Sequence, residues 1–521
     1  MNMDGPPRNR VGRAALVLAV GGAGALLFAC SDVPAPPDAP PPSPQPAPGP
    51  TPEPAPPPAC DEADVLGSLA RLRGVQAVSE ISCGKYVRGE ARCFSLTFTQ
   101  RLDHAQGEKA GVFSQSARLI HRGCDRPTTI MDNGYALRSS AYDLEPSLAF
   151  QTNVLDLEHR FQGQSTPKLL ADNWRYLSIE NAAADMHEVI VGLRDFYRGR
   201  LVSTGASKGG ITAIYHRFLH PSDLDGTIAY VAPASSARED KRYQEWMDGA
   251  SLPKRCRDDL RAFQVAALTN RRAELVAEVA RRYPGSPIEP EYRLERTIAH
   301  HDWGFWQYAG DCSQVPSPEA GAGAYVAYFN SVLDGEQGVG VPGPAGYTNV
   351  PALASEWSWQ QGYAEQAGAH VMGKLRTSAV DDAKNERAFQ ASYPKVPLPA
   401  YDGSLTASAK DWVRTSAEGV LLVYGELDPW SGGALDAPSK PTSARYFAPG
   451  HGHDAQIWHL PKPERAAAMA AAAAMYGATR SRSYDEATPG IDVVPREFFD
   501  LRRVDARAIE TKRADARARV R

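Results

Sequence analysis

The stretch STGASKGGITAIYH, Ser203 to His216, contains the pattern G-x-S-x-G around Ser207. The pattern alone is a weak signal, because the chain has 44 glycines. Its surroundings are more informative: RLVST, Arg200 to Thr204, is typical of a strand, and Gly210 to Leu219 has the composition of a helix. A serine between strand and helix, with glycines that permit a sharp turn, indicates a nucleophile elbow. We therefore predict that Ser207 is a nucleophile; the alternative is a serine that caps a helix.

Around this stretch, strand-like runs alternate with helix-like runs. The further strand candidates are Phe94 to Thr99, Val112 to His121, Thr128 to Asp132, Asn153 to Leu157, Thr227 to Ala232 and Gly419 to Tyr424. Apolar residues at helical spacing fill Ile179 to Tyr197. Such alternation is typical of a parallel sheet with crossover helices, so the sequence predicts an α/β fold.

An acid and a histidine follow the serine in the order that α/β-hydrolases use. Asp428 lies just after the last strand candidate, and we prefer it to Glu426 because an Asp-Pro pair favours a turn that fixes the carboxylate. The glycine-flanked loop PGHGHDA then offers His451 and His453 as general base. The order predicts acyl transfer through an acyl-enzyme, with no metal and no organic cofactor.

The amino-terminal segment is typical of an export signal. Three arginines precede the apolar run Ala14 to Phe28, which is short for a membrane span. The run ends in LLFAC, which resembles a bacterial lipobox, so we predict lipidation of Cys30; the alternative is plain secretion. The proline-dense residues 33–58 favour an extended spacer. We expect an exported protein, either a cell-envelope lipoprotein or secreted, whose only membrane contact is a lipid anchor.

The net charge and the cysteine content bear on the expected partners, disulfides and metal sites. A formal net charge of −4 gives no reason to expect nucleic acid as a partner. If Cys30 is lipidated, six cysteines remain, which allows up to three disulfides whose pairing the sequence does not fix. They are Cys60, Cys83, Cys93, Cys124, Cys256 and Cys312. No C-x-x-C or H-x-x-x-H pair is found to accompany them, so their spacing is not typical of a metal site.

Several longer stretches carry a resemblance to a known family. They are FTQRLDH, ARLIHRG, DNGY, EPSLAFQTNVLDLEHRF, DNWRYLSIENAAADMHEVI, the long block around Ser207, GFWQYAGDC, YGELDPWSGG and GHGHDA. The chain resembles the secreted bacterial serine aminopeptidases that release tripeptides and tetrapeptides, including the prolyl tri- and tetrapeptidyl aminopeptidases. It is more distantly similar to the prolyl carboxypeptidase and dipeptidyl peptidase group.

The resemblance implies an α/β-hydrolase core with a largely helical cap inserted before the strand that carries the acid. The parts expected are a signal peptide (1–29), a lipid-anchor candidate with a proline-rich linker (30–59), the first part of the core (60–235), the cap (236–415), the second part of the core (416–480) and a charged tail (481–521).

By motif, the resemblance makes Ser207 the nucleophile, Asp428 the orienting acid and His453 the base. The histidine of the family stands in a motif like G-N-H-G-A, which His453 matches better than His451 does. Asp454 stands where that motif has glycine, so His451 remains the alternative base.

The resemblance also implies residues that bind the substrate. Relatives use an acid near the end of a central strand to bind the free N-terminus, which assigns Glu158 to that role; the alternative is a structural interaction of Glu158 with His159 or Arg160. The oxyanion hole is expected from the backbone N–H of Lys208 and a second N–H from Gly134 or Tyr135.

Trp306, in the GFWQY stretch, is predicted to form part of the substrate pocket, and packing within the cap is the alternative.

Together these assignments predict a serine exopeptidase that acts on peptides with free N-termini, with any preference for proline left open. A carboxylesterase or lipase on the same fold is one alternative, and it would leave Glu158 without a role. A catalytically inactive surface-binding lipoprotein is the other, and the intact Ser-Asp-His order argues against it.

Overall fold

The structure is a computed structural model. It describes residues 59–167, 173–236, 240–249, 251–286, 289–308, 310–335 and 402–479, together with Tyr484. The predicted signal peptide, Cys30, almost all of the proline-rich linker, a long part of the predicted cap and all of the predicted tail except Tyr484 lie outside these residues. Within them, no helix combines the length and the apolar character needed to cross a membrane.

A nine-stranded sheet forms the centre of the molecule, in the order β1-β2-β3-β5-β4-β6-β7-β8-β9. The strands are β1 (Val75–Ile81), β2 (Arg92–Asp103), β3 (Gly107–His121), β4 (Thr128–Asp132), β5 (Asn153–Leu157), β6 (Leu201–Ala206), β7 (Gly226–Tyr230), β8 (Val420–Gly425) and β9 (Ala444–Ala448). The pairs β1–β2, β2–β3 and β3–β5 are antiparallel. All other pairs are parallel, as the alternating sequence pattern predicts.

The helices accompany these strands along the chain. They are α1 (Val65–Ala70), α2 (Glu145–Phe150), α3 (Ile179–Phe196), α4 (Lys208–Leu219), α5 (Lys241–Asp248), α6 (Lys254–Leu268), α7 (Arg272–Arg282), α8 (Pro290–Gln307), α9 (Ala322–Gly335), α10 (Ser404–Thr415) and α11 (Lys462–Tyr476).

Helices cover both faces of the sheet, because the central strands are apolar on both faces. In β8, Leu421 and Val423 share an apolar core with Met469 of α11. The alternate residues Leu422 and Tyr424 pack in a core that α4 and α10 complete. Every residue of β4, β5, β7 and β8 is buried, as expected for parallel strands between helical layers. The chain thus has the predicted α/β-hydrolase fold.

Every regular element described between β7 and β8 is a helix, and irregular turns connect these helices. Helices α6, α7, α8 and α9 share an apolar core of their own that includes Phe263, Leu275, Ile298 and Phe329. Helix α10 lies within the range predicted for the cap, yet it packs through Val413 on the core beside α4. The boundaries of the cap stay a prediction.

Three disulfides pair the six cysteines that the sequence left unassigned. They join Cys60 to Cys124, Cys83 to Cys93 and Cys256 to Cys312. The third lies within the helical segment and connects α6 to the short 3-10 helix Cys312–Gln314.

Candidate active site

Ser207 stands between β6 and α4, at the carboxyl end of the strand. Its φ of 57° and ψ of −125° form a backbone conformation that non-glycine residues rarely adopt. The residue is only 9% exposed. A strained serine between a strand and a helix is the geometry that the G-x-S-x-G pattern predicts.

The two glycines of the pattern are needed because the backbone packs closely there. A Cβ on Gly205 would lie 2.3 Å from the carbonyl oxygen of Gly209. A Cβ on Gly209 would lie 2.8 Å from the carbonyl oxygen of Asp132. These approaches tie the start of α4 to β6 and to the loop after β4.

Asp428 and His453 are joined by a hydrogen bond. The Nδ1 atom of His453 lies 2.7 Å from Oδ2 of Asp428, and both side chains are almost fully buried. Burial raises the pKa of the Asp428 carboxyl, and the adjacent imidazole opposes that rise. Asp428 also accepts the backbone N–H of Trp430 through Oδ1 at 3.1 Å, so its carboxylate is fixed at the start of the turn after β8.

The competing residues have other contacts. Glu426 accepts the backbone N–H of Gly450 at 3.0 Å. His451 stacks on His459 with ring centroids 3.8 Å apart. Among the described residues, only His453 contacts Asp428 through an imidazole nitrogen.

The second ring nitrogen of His453, Nε2, is the atom that would serve as a general base. Nε2 is buried and has no hydrogen-bonding partner among the described residues. Ser207 and Asp428 follow β6 and β8, which run parallel with β7 between them, so they lie at the same edge of the sheet. The structure gives no hydrogen bond between Ser207 and His453. Catalytic hydrogen bonds are often long in a free enzyme.

The helical segment reaches the histidine loop. The backbone N–H of His453 donates to the carbonyl oxygen of Gln307, the last residue of α8, at 2.7 Å. The Trp303 ring of the same helix meets Trp430 edge to face, with centroids 4.5 Å apart, and Trp430 lies 6.4 Å from the His453 ring. Trp430 thus lies beside the ring of His453, and Trp303 packs on Trp430 from the helical segment.

Trp306 is placed differently from Trp303. It is 2% exposed and packs in an apolar cluster with Met247, Leu260 and Phe305. This position corresponds to the packing role named as its alternative. Its role in substrate binding stays a prediction.

The predicted oxyanion loop packs against the start of α4. Gly134 has a φ of +77°, and a Cβ there would lie 2.8 Å from Cγ of Lys208. The N–H of Gly134 donates to Oδ1 of Asp132 at 2.8 Å, and that of Tyr135 donates to Oδ1 of Asn133 at 2.7 Å. Both predicted donors therefore lie beside the elbow, with local side chains as their present acceptors.

Glu158 directly follows β5 and is buried. Its Oε1 accepts the N–H of Leu137 at 2.9 Å, and its Oε2 accepts the N–H and the hydroxyl of Ser165, both at 2.8 Å. Burial raises the pKa of this carboxyl although these donors oppose the rise. Arg160 pairs instead with Asp185, with two contacts of 2.7 Å. Arg160 therefore pairs with Asp185, and the Glu158–Arg160 pair considered as a structural alternative does not form.

Residues 60–517 match the model of the PS-10 peptidase S37 family. The prolyl tri/tetrapeptidyl aminopeptidase of Streptomyces mobaraensis is 30% identical over 424 residues, which cover 78% of this chain and 84% of the relative.

The chain belongs to the S37 family of serine peptidases.

Two solved structures are also similar to this S37 peptidase. Proline iminopeptidase of Mycobacterium smegmatis has 16% identity and a TM-score of 0.33, covering 76% of this chain and 97% of its own. A carboxylesterase cloned from a metagenomic library has 12% identity and a TM-score of 0.31, covering 76% of this chain and 91% of its own. The family assignment rests on the sequence matches.

The buried side chains of His159 and Lys208 lie beside the elbow of the S37 peptidase, in contacts that the sequence did not predict. Nδ1 of His159 lies 3.0 Å from each carboxylate oxygen of Asp132, and burial lowers the pKa of this imidazole. Lys208 is also buried, with Nζ 5.2 Å from the centroid of the Tyr135 ring. Burial lowers the pKa of Lys208 to about 7, against the opposing effect of Asp132.

Glu145 fixes the segment that follows the histidine loop. Its carboxylate accepts the backbone N–H groups of Ile457 and Trp458 at 2.9 and 2.7 Å. The hydroxyls of Tyr230 and Tyr484 donate to it at 2.9 and 2.7 Å. All four partners of Glu145 in this S37 peptidase are distant from it in sequence. The sequence therefore did not indicate that this acid holds the segment after the histidine loop.

Proposed function

We propose that the protein is an exported exopeptidase that releases tripeptides or tetrapeptides from free N-termini, with Ser207, His453 and Asp428 as its triad. The observation that carries this proposal is the 2.7 Å contact between His453 and Asp428, at the sheet edge where the strained Ser207 ends β6. The similarity to the Streptomyces relative, a prolyl tri/tetrapeptidyl aminopeptidase, supports the substrate class.

In the proposed reaction, Oγ of Ser207 attacks the scissile carbonyl and gives its proton to Nε2 of His453. Asp428 holds the imidazole by Nδ1 and stabilises the imidazolium. The oxyanion is stabilised by the N–H of Lys208 and by an N–H of the Gly134–Tyr135 loop. His453 then protonates the departing amine, and water hydrolyses the acyl-enzyme by the reverse sequence of proton transfers.

Glu158 is the proposed counter-charge for the substrate's ammonium group. Glu158 accepts the N–H of Leu137, which lies two residues after Tyr135 of the oxyanion loop. The loop that carries the oxyanion donors therefore also positions the carboxylate proposed to bind the ammonium group. A carboxylate has about four lone-pair sites. Leu137 and Ser165 supply three hydrogen bonds to this one, and the backbone N–H of Gln164 also acts on it, so a bound ammonium group would share an oxygen with these donors or displace one of them.

Peptide nitroanilides with free and with acetylated N-termini test the proposal in the wild type and in Ser207→Ala. Cleavage of free tri- and tetrapeptide substrates, abolished in the variant, is expected. Equal cleavage of the acetylated substrates would remove the role of Glu158. Hydrolysis of nitrophenyl esters without any peptide cleavage would favour the esterase alternative.

Export is the remaining part of the proposal. All six described cysteines form disulfides, and such bonds persist mainly in oxidising compartments. Metabolic labelling with a fatty acid, in the wild type and in Cys30→Ser, tests the lipid anchor. Label in the wild type alone is expected, and release of unlabelled wild-type protein into the medium would instead indicate plain secretion.

A further inference from the structure

A cluster of imidazoles lies at the end of α4 opposite to Ser207. His216 and His220 are one helical turn apart, in a His-x-x-x-His spacing, and His187 of α3 lies beside them. The rings of His187 and His220 stack with centroids 4.3 Å apart. Because α4 has 12 residues, the cluster lies about 18 Å along the helix from the nucleophile.

Asp223 brings this cluster together. Its Oδ2 lies 2.8 Å from Nδ1 of His187 and 3.0 Å from Nε2 of His216. His187, His220 and Asp223 each offer one ligand atom, and these three atoms lie within 4.8 Å of one another. Small side-chain rotations bring such atoms to a common ion.

The chemistry of the donors selects a class of ion. Two imidazoles and one carboxylate suit Zn²⁺ and similar divalent transition metals, whereas Mg²⁺ and Ca²⁺ prefer oxygen ligands alone. The fully buried His216 bonds the carboxylate, as residues beside metal ligands do.

The two neighbouring arginines, Arg194 and Arg217, donate to acceptors other than the Asp223 carboxylate. Arg194 donates to the backbone carbonyl of Asp223 and to the side chain of Asp225. Arg217 donates to the backbone carbonyl of Leu224. The site also lies at the carboxyl end of α4, where the helix dipole favours a cation.

We propose that His187, His220 and Asp223 form a binding site for a divalent transition-metal ion such as Zn²⁺, with His216 positioning the carboxylate. An ion between His187 and Asp223 replaces their hydrogen bond with two coordination bonds, and a neutral His187 then carries its proton on Nε2 so that Nδ1 presents its lone pair to the ion. The ion would join α3 to the end of the helix that begins at Ser207.

Calorimetric titration of the intact chain with ZnCl₂ tests the proposal. The protein carries no histidine tag, and no reductant is added, so that Cys60 and Cys124, which lie near His121, stay in their disulfide. The variants are His187→Gln, His220→Gln and the double variant. His451→Gln is the matched control, because it changes another partly exposed histidine that stacks on a second imidazole.

The wild type is expected to bind one equivalent of Zn²⁺ and to gain thermal stability with it. Each single variant is expected to weaken binding by at least about tenfold, and the double variant to lose it, whereas His451→Gln binds as the wild type does. Three results would overturn the site: no stoichiometric binding by the wild type, unchanged binding by the double variant, or equally tight binding of Mg²⁺.

Discussion

The backbone N–H of His453 donates to the carbonyl oxygen of Gln307 across a distance of 2.7 Å. One hydrogen bond therefore joins the proposed catalytic base to the last residue of helix α8. The adjacent Gly452 permits this approach, because a Cβ there would lie 2.4 Å from the same carbonyl oxygen. The position of the base is thus set jointly by the sheet, through Asp428, and by the helical segment.

Gly452→Ala is expected to displace the histidine loop and to lower kcat/KM by about 10- to 100-fold, because small misplacements of a catalytic group have effects of this size. The control is Gly304→Ala in α8, where a Cβ would meet no atom within 4 Å. Steady-state kinetics and thermal unfolding of both variants measure the effect. An unchanged kcat/KM in Gly452→Ala would show that the contact with Gln307 does not position the base.

Asp428→Asn is expected to lower kcat by about 10⁴-fold, because the amide favours the wrong tautomer of the histidine. Glu426→Gln serves as the control, since its carboxylate bonds the N–H of Gly450. Kinetics on a free tripeptide nitroanilide distinguish the two. If Glu426→Gln had the larger effect, the acid of the triad would have to be reassigned.

His453→Ala is expected to abolish measurable turnover, whereas His451→Ala is expected to retain most of it. His451 stacks on His459 and has a weak 3.7 Å contact with Asp454. Labelling of Ser207 by a fluorophosphonate reports on the same difference without a peptide substrate. Loss of labelling in His451→Ala alone would make His451 the base.

Lys208 is expected to make stability depend on pH. Its folded pKa of about 7 lies below the ordinary value of 10.5, so between these values the unfolded chain binds more protons. The free energy of unfolding therefore rises with pH above about 7, by at most about 1.4 kcal/mol per pH unit from this group. Below pH 7 both states are protonated and the burial of the charge remains fully destabilising.

Lys208→Met is expected to lose this rise, and the control Lys254→Met, at an exposed position, to keep it. Denaturant unfolding between pH 6 and 9, compared with the wild type at each pH, isolates the contribution. Identical pH profiles for the wild type and Lys208→Met would mean that this ammonium keeps its charge at high pH in the folded protein.

Ser207→Gly is expected to be more stable than Ser207→Ala by about 1 kcal/mol, although both are inactive. Alanine retains the unfavourable φ of 57°, whereas glycine removes a strain of about 1–3 kcal/mol and costs some conformational entropy in return. Thermal unfolding of the two variants compares them. Equal stability would indicate that the elbow stores little strain.

Short buried strands were predictable because apolar and β-branched residues predominate in them and polar or glycine-rich turns flank them. Thr128–Asp132 and Asn153–Leu157 have the predicted bounds. Helix α4 begins at Lys208 rather than at Gly210, because the elbow starts the helix directly after the serine despite two glycines. The local sequence pattern is therefore sufficient to predict the position of individual strands and helices.

Contacts between distant segments were not predictable from local pattern. The pairing of Cys60 with Cys124 and the contact of Trp303 with Trp430 depend on the packed fold. The His-x-x-x-His pair His216 and His220 is present in the sequence but was missed as a metal signal, because Asp223 follows a turn and His187 lies on another helix. Sequence order thus indicates which residues react, and tertiary packing determines which residues support them.

The pairing of β7 with β8 determines when the sheet can be completed during synthesis of the chain. Thr227 lies beside Val420 in the sheet, so β7 remains an open edge while the whole intervening segment is synthesised. The acid and the base come later still, at 428 and 453. A nascent chain in which β7 has formed therefore exposes an unfinished sheet edge until residues 420–425 are available, and the proposed triad is complete only once residue 453 has been made.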